Sequence, residues 1–300
     1  MGPVAMGGYG LAGVLATVPR PRDGTRRGRR DAASSHAFLA LAGSGFRRYA
    51  TYRQATLAAI ATNFVFGFLR CFVLLAALAG AGTAAVRDYD AGQLATYCWV
   101  SQGLIGVVLL WGWTDLADRI RTGDVTGDLV RPIHPVTAYL AVDLGRAGYA
   151  ALTRFVVPVM IGALTFDLFV PARVITYPLF VVSTVLAVVV SFCCRFLVNA
   201  SAYWLLDVRG VTVAWTFAST AGTGLAFPLH FLPDWLVVSL WVATPFPSML
   251  QAPLDVLVER GTTGSQVGLV AGQAAWAVGL LVLCRAVQRR AERKLVVQGG

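Results

Sequence analysis

ITYPLFVVSTVLAVVVSFCCRFLVNASAYWL, residues 175–205, holds a single charged side chain, Arg195, in about thirty residues. At about 1.5 Å of rise per residue a helix of this length exceeds the ~30 Å hydrocarbon layer of a bilayer, so it must tilt, bend or extend into the cytoplasm. Reading outward, five further apolar blocks appear at residues 59–80, 93–113, 146–169, 212–231 and 265–284. Each is long enough to cross a membrane as a helix. With 57% apolar and 13% charged residues and a mean hydropathy of +0.66, the chain reads as an all-α integral membrane protein of six spans.

Charge fixes the orientation of these spans. Nineteen of the twenty-five Lys and Arg residues fall on one side when the blocks are threaded in turn. They are nine before residue 59, four in the loop that ends at Arg146, Arg209, and five from Arg285 onward. The other side holds Arg87, Arg173 and Arg260. By the positive-inside rule both termini are cytoplasmic. The net charge of +10 borders apolar spans instead of forming a basic domain, which argues against nucleic-acid binding and for attraction to anionic lipid. Arginine outnumbers lysine twenty-four to one, a coding bias of high-G+C bacteria, and the expected location is the bacterial plasma membrane.

Residues 1–45 read as a disordered basic cytoplasmic tail and 291–300 as a second tail, leaving 46–290 as the membrane domain. Over residues 46–58 a helix would gather Phe46, Tyr49, Ala50 and Leu57 on one side and turn Arg47 and Arg48 away. That pattern predicts an interfacial helix lying along the cytoplasmic surface. After the fifth block, Pro228, Pro233, Pro245, Pro247 and Pro253 flank the apolar run 235–243. Prolines remove backbone donors, so this region predicts short broken helices that dip into the outer leaflet and return. Gly264, Gly268 and Gly272 recur every four residues and predict a groove for close helix packing.

The charged loop TDLADRIRTGDVTGDLVRPIHP, residues 114–135, predicts a helix over 115–122. Asp115 and Asp118 sit near its positive end, Leu116 and Ile120 stack on one side, and Gly123 terminates it. Pro132 and Pro135 stiffen the return to the third span. Three arginines, Arg70, Arg154 and Arg195, interrupt apolar blocks, where a charge costs about 2.5–3.5 kcal/mol. They are candidates for intramembrane pairing or for contact with a substrate. The five cysteines show no CxxC spacing and the three histidines are scattered, so no metal site is expected. Apart from Asp167 the blocks hold no carboxylate, and neither GxSxG nor HExxH occurs, which weighs against an intramembrane enzyme. The same scarcity weighs against an ion-coupled secondary transporter, the stronger rival.

In this loop the chain resembles the permease subunits of bacterial type-2 ATP-binding-cassette (ABC) transporters, exporter-like branch. The matching residues are Asp118, Ile120, Gly123, Leu129, Arg131, Pro132 and Pro135. A second likeness lies in Phe227, Pro228, Phe231, Pro233, Trp235, Thr244, Pro245, Phe246 and Pro253, similar to that family's outer-leaflet helices, and the whole covers about residues 46–290. The resemblance implies that 115–122 is a coupling helix, with Asp115, Leu116, Asp118, Arg119, Ile120, Gly123, Leu129, Arg131, Pro132 and Pro135 engaging a separate ATPase subunit. It further implies two such subunits carrying ATP and Mg, and a second permease, identical or paralogous. The chain contains no GxxxxGK(S/T) phosphate loop, so no cofactor is expected in it. The expected activity is export of a hydrophobic or amphiphilic compound.

Overall fold

The computed structural model describes residues 23–50, 53–85, 89–129, 133–205 and 207–298. Contacts group the chain into residues 1–37 and 38–300. In the first unit the described stretch is helical, and everything below concerns the second. No strand occurs among the described residues. The helices are α1 (Asp23–Ala50), α2 (Arg53–Ala85), α3 (Ala91–Val108), α4 (Asp115–Thr122), α5 (Thr126–Leu129), α6 (Pro135–Ala150), α7 (Val156–Thr165), α8 (Thr176–Ala200), α9 (Arg209–Gly222), α10 (Asp234–Ala243), α11 (Gln251–Leu257) and α12 (Thr263–Gln298).

Four segments are long and apolar enough to cross a membrane, namely Ala61–Gly80, Pro135–Thr165, Thr176–Tyr203 and Thr263–Lys294. The second and fifth blocks fall short by length or composition. α3 has eighteen residues, fourteen of them buried, and α9 has fourteen. α8 stands at the centre, with α11 and α12 packed along it. Trp99, Phe192 and Phe196 are among the large side chains that are fully buried. Much of α2, by contrast, exposes Phe64, Val65, Phe66, Leu69, Phe72 and Val73. A continuous apolar face of this kind marks contact with lipid or protein rather than water.

The third block begins earlier than its hydropathy suggests. His134 caps α6, its Nδ1 accepting from the Val136 N–H at 3.3 Å, and Pro135 occupies the first helical position where a missing N–H costs nothing. Asp143 therefore lies inside a membrane-length helix and not in a loop. Between α6 and α7 a π-turn covers Ala151–Phe155. Pro158 follows it and can neither donate to the Arg154 carbonyl nor avoid crowding it, and the wider turn relieves that conflict. Gly103 and Gly106 of α3 make room, since a Cβ at either would meet Phe155 or Arg154 atoms at 3.0 Å or less.

The N-terminal boundaries also move. Residues 1–22 of the expected tail lie outside the described residues, whereas 23–45 belong to α1. The interfacial helix expected over 46–58 is divided between the end of α1 and the start of α2. α1 instead crosses α6 at backbone contact: a Cβ on Gly45 would strike the Val142 carbonyl oxygen, and one on Gly145 that of Ala42. Phe46 adds an edge-on contact with Tyr149, ring centroids 5.5 Å apart. At the other end α12 runs on to Gln298, through most of the expected second tail. The proline-rich region does break into short pieces, α10 and α11 with 3₁₀ turns at Leu229–Phe231 and Phe246–Ser248. Its chain returns to the end of α9, where Gln251 N–H donates to the Thr223 carbonyl at 3.0 Å.

Candidate functional site

α4 covers the stretch predicted as a helix, and Gly123 ends it at φ 82° with its N–H on the Ile120 carbonyl. That left-handed conformation is one glycine adopts freely. Its apolar side, however, faces inward. Leu116 is 1% exposed and packs in the main core, and Ile120 is half-buried against the same cluster. The exposed residues of α4 and the turn after it are Asp118, Arg121, Thr122, Gly123 and Asp124. Leu116 therefore anchors α4 to its own chain, and the side of α4 left open is the polar one.

Two braces hold α4. Arg119 reaches Asp128 with both Nε and Nη2 at 3.0 Å, a bidentate pair, and Tyr139 on α6 donates to the same carboxylate at 2.6 Å. Bidentate guanidinium–carboxylate pairs fix geometry as well as charge. On the opposite side Asn199 of α8 accepts from the Ala117 N–H at 3.1 Å and donates to the Trp113 carbonyl at 2.9 Å. Asp115 pairs with Arg48 at 3.1 Å between exposed side chains, a contact worth little by itself. Arg131 and Pro132 lie outside the described residues, as does the side chain of Leu129.

The three intramembrane arginines have different surroundings. Arg195 is 2% exposed and donates to Asp143 Oδ2 at 2.7 Å, while Arg146 donates to Oδ1 of the same residue at 2.7 Å. Arg146 also satisfies the carbonyls of Gly106 and Val107, each at 2.8 Å. One carboxylate thus serves two guanidiniums beneath the crossing of α1 and α6. Arg70 donates to the Ala226 carbonyl at 3.1 Å and to Ser101 Oγ at 2.7 Å, and lies 5.6 Å from the Tyr97 ring centroid. Arg154 is half-buried on the π-turn, its stem against Gly106, with no hydrogen bond or ion pair among the described residues.

On the proline-rich side, Asp255 is a hub that sequence reading missed. Its carboxylate accepts from Tyr89 at 3.1 Å and Gln251 at 2.8 Å, and contacts His230 Nε2 at 2.8 Å. Gly268 and Gly272 meet nothing within 4 Å, and Gly264 only Thr262. Gly268 and Gly272 line a cavity of about 420 Å³ with Trp241, Trp276, His230 and Asp255.

Glu259 closes the same side. It accepts from Thr176 Oγ1 and the Arg173 N–H, both at 2.7 Å, and Arg173 Nη2 donates to the Glu259 carbonyl at 2.8 Å. Burial pushes the Glu259 carboxyl upward, but the Thr176 hydroxyl, the backbone N–H groups and Arg173 outweigh it and hold the group below its ordinary 4.5. A depressed carboxyl stabilises the fold fully above the unfolded value, and that contribution is lost as pH falls through the folded one. Glu259→Gln is expected to cost about 2 kcal/mol near neutral pH. Thermal midpoints at pH 7 and pH 4 check this: the wild type loses more between them than the variant, and equal losses refute it.

These features define an all-helical, multi-pass membrane protein whose short amphipathic helix is anchored by its apolar side and presents its polar side outward. The chain belongs to the ABC-2 family transporter proteins, whose family model matches residues 64–299. Membership identifies it as an ABC permease, a transport subunit that associates with an ABC ATPase subunit. No curated protein matches it at a significant level.

Proposed function

We propose that this chain is the permease of an ABC exporter of the bacterial plasma membrane, moving a hydrophobic or amphiphilic compound with ATP hydrolysed on a separate subunit. Six crossings place both termini in the cytoplasm, with α3 and α9 completing the set inside an assembled dimer of permeases. α4 is then the coupling helix, and ATP with Mg resides on two ATPase subunits. The observation that carries this reading is the double brace of α4: Arg119, Asp128 and Tyr139 tie it toward α6, and Asn199 ties it to α8. A knob fixed to two long helices can pass a displacement to both, whereas a loosely tethered loop would absorb it. Arg154, with no side-chain hydrogen bond or ion pair among the described residues, is the candidate contact for an anionic group of the substrate or for the second permease.

Arg121→Cys and Thr122→Cys test the docking side. The native cysteines Cys71, Cys98, Cys193, Cys194 and Cys284 are all buried, so a bifunctional thiol reagent acts at the introduced site. Mass spectrometry of the adduct is expected to identify an ABC ATPase. Crosslinking that never captures a nucleotide-hydrolysing protein, or tags that report α4 outside the cell, would sink the proposal.

A further inference from the structure

A cavity of about 150 Å³ lies between α1, α4 and α6, lined by Arg48, Arg119 and Arg146 against Asp115 and Asp143, with the rings of Trp113 and Tyr139. Its charges do not balance. Arg48 pairs with Asp115 and Arg119 with Asp128, leaving Arg146 and Arg195 to share Asp143. Arg195 stands behind the lining, its guanidinium 5.7 Å from the Trp113 ring centroid, and its buried Nη1 has no hydrogen-bond partner among the described residues. An excess guanidinium in a low-dielectric interior is unfavourable until an anion approaches. The exposed Arg48 and half-buried Arg119 can donate charge-assisted hydrogen bonds to such an anion from the cavity mouth. Trp and Tyr are the rings that favour the headgroup level of a membrane.

We infer that this cavity binds the phosphate-diester headgroup of an anionic lipid from the leaflet on the α4 side. The inference rests on the reading above that α4 lies just under the cytoplasmic surface. The lipid lowers the field of the Arg146–Asp143–Arg195 cluster and fills the space beneath the crossing of α1 over α6.

The test uses the full chain equilibrated with mixed vesicles of phosphatidylglycerol and phosphatidylcholine, with retained lipid counted by native mass spectrometry. The wild type is expected to retain phosphatidylglycerol selectively. Arg48→Gln lowers that retention about tenfold, the value of one charge-assisted hydrogen bond. Val142→Trp, at another lining position, fills the cavity while leaving every charge in place, and is expected to lower retention at least as far. Wild-type retention in Val142→Trp, or equal retention of both lipids, overturns the site in favour of diffuse surface attraction. A thermal shift from inorganic phosphate alone as large as that from phosphatidylglycerol assigns the cavity to a soluble anion and overturns the lipid. None of these readouts needs ATP or a partner subunit. Lipid retention without ATPase capture therefore sinks the transporter reading alone, and capture without retention sinks only this inference.

Discussion

Asp143→Asn is expected to lower the thermal midpoint of the purified chain much further than Arg195→Gln. The difference follows from charge. In the native cluster one carboxylate, 8% exposed, receives Arg146 and Arg195 at 2.7 Å each. Removing the carboxylate strands two buried guanidiniums, a loss of about 3–5 kcal/mol for breaking such a pair from one side. Removing Arg195 leaves Asp143 and Arg146 as a one-to-one pair, with the Arg146 bonds to Gly106 and Val107 intact. The expected cost is then about 1–2 kcal/mol, mainly of the lost hydrogen bond and of repacking against Trp113. Thermal unfolding followed by size-exclusion fluorescence checks the order. Asp143→Asn with Arg195→Gln together should recover part of the loss, because neighbours in one network do not add. Equal midpoints for the two single variants, or a reversed order, would show that the cluster is not held by this charge balance.

The same cluster shows where sequence reading stops. Hydropathy windows sum residues singly, so the third block starts only at Arg146 and leaves Asp143 in the loop, although in the fold the two pair inside a helix that starts at Pro135. The blocks as bounded hold no carboxylate but Asp167, and Asp143 lies outside them for that reason, while the role of Asp255 is not local because its partners Tyr89 and His230 come from distant segments. Locally determined features are legible in the residues themselves. Gly123 ends α4, and the closely spaced prolines divide 228–257 into short helices. Periodicity identified the apolar side of α4, with Leu116 and Ile120, but not whether it faces a partner or the core. The glycine spacing on α12 marks an open groove but names no helix to fill it. Small residues permit a close crossing but do not supply the second helix; within this chain close contacts are made at Gly45, Gly103, Gly106, Gly145 and Gly162, among others.

Asp128→Ala is expected to uncouple the permease while leaving it assembled. Asp128 accepts both arms of Arg119 and the Tyr139 hydroxyl, and its side chain is 8% exposed. Without it α4 keeps its exposed Asp118, Arg121 and Thr122, so capture of the ATPase through that side continues. The helix nevertheless loses its rigid link to α6, and movement at the docking surface dissipates in the turn between α4 and α5. Coupling free energies of about 1–3 kcal/mol correspond to roughly 5- to 150-fold effects. Permease-stimulated ATP hydrolysis in proteoliposomes should accordingly fall toward the rate of the isolated ATPase subunit. Tyr139→Phe, which removes one bond and leaves both arms of Arg119 on Asp128, should fall only part of the way. Arg119→Lys should resemble Asp128→Ala more closely than a conservative charge replacement suggests, because an ammonium cannot reproduce the bidentate fork. Undiminished stimulation in Asp128→Ala would remove the brace from the transmission path. Loss of ATPase capture in that variant would instead make the brace part of the docking surface.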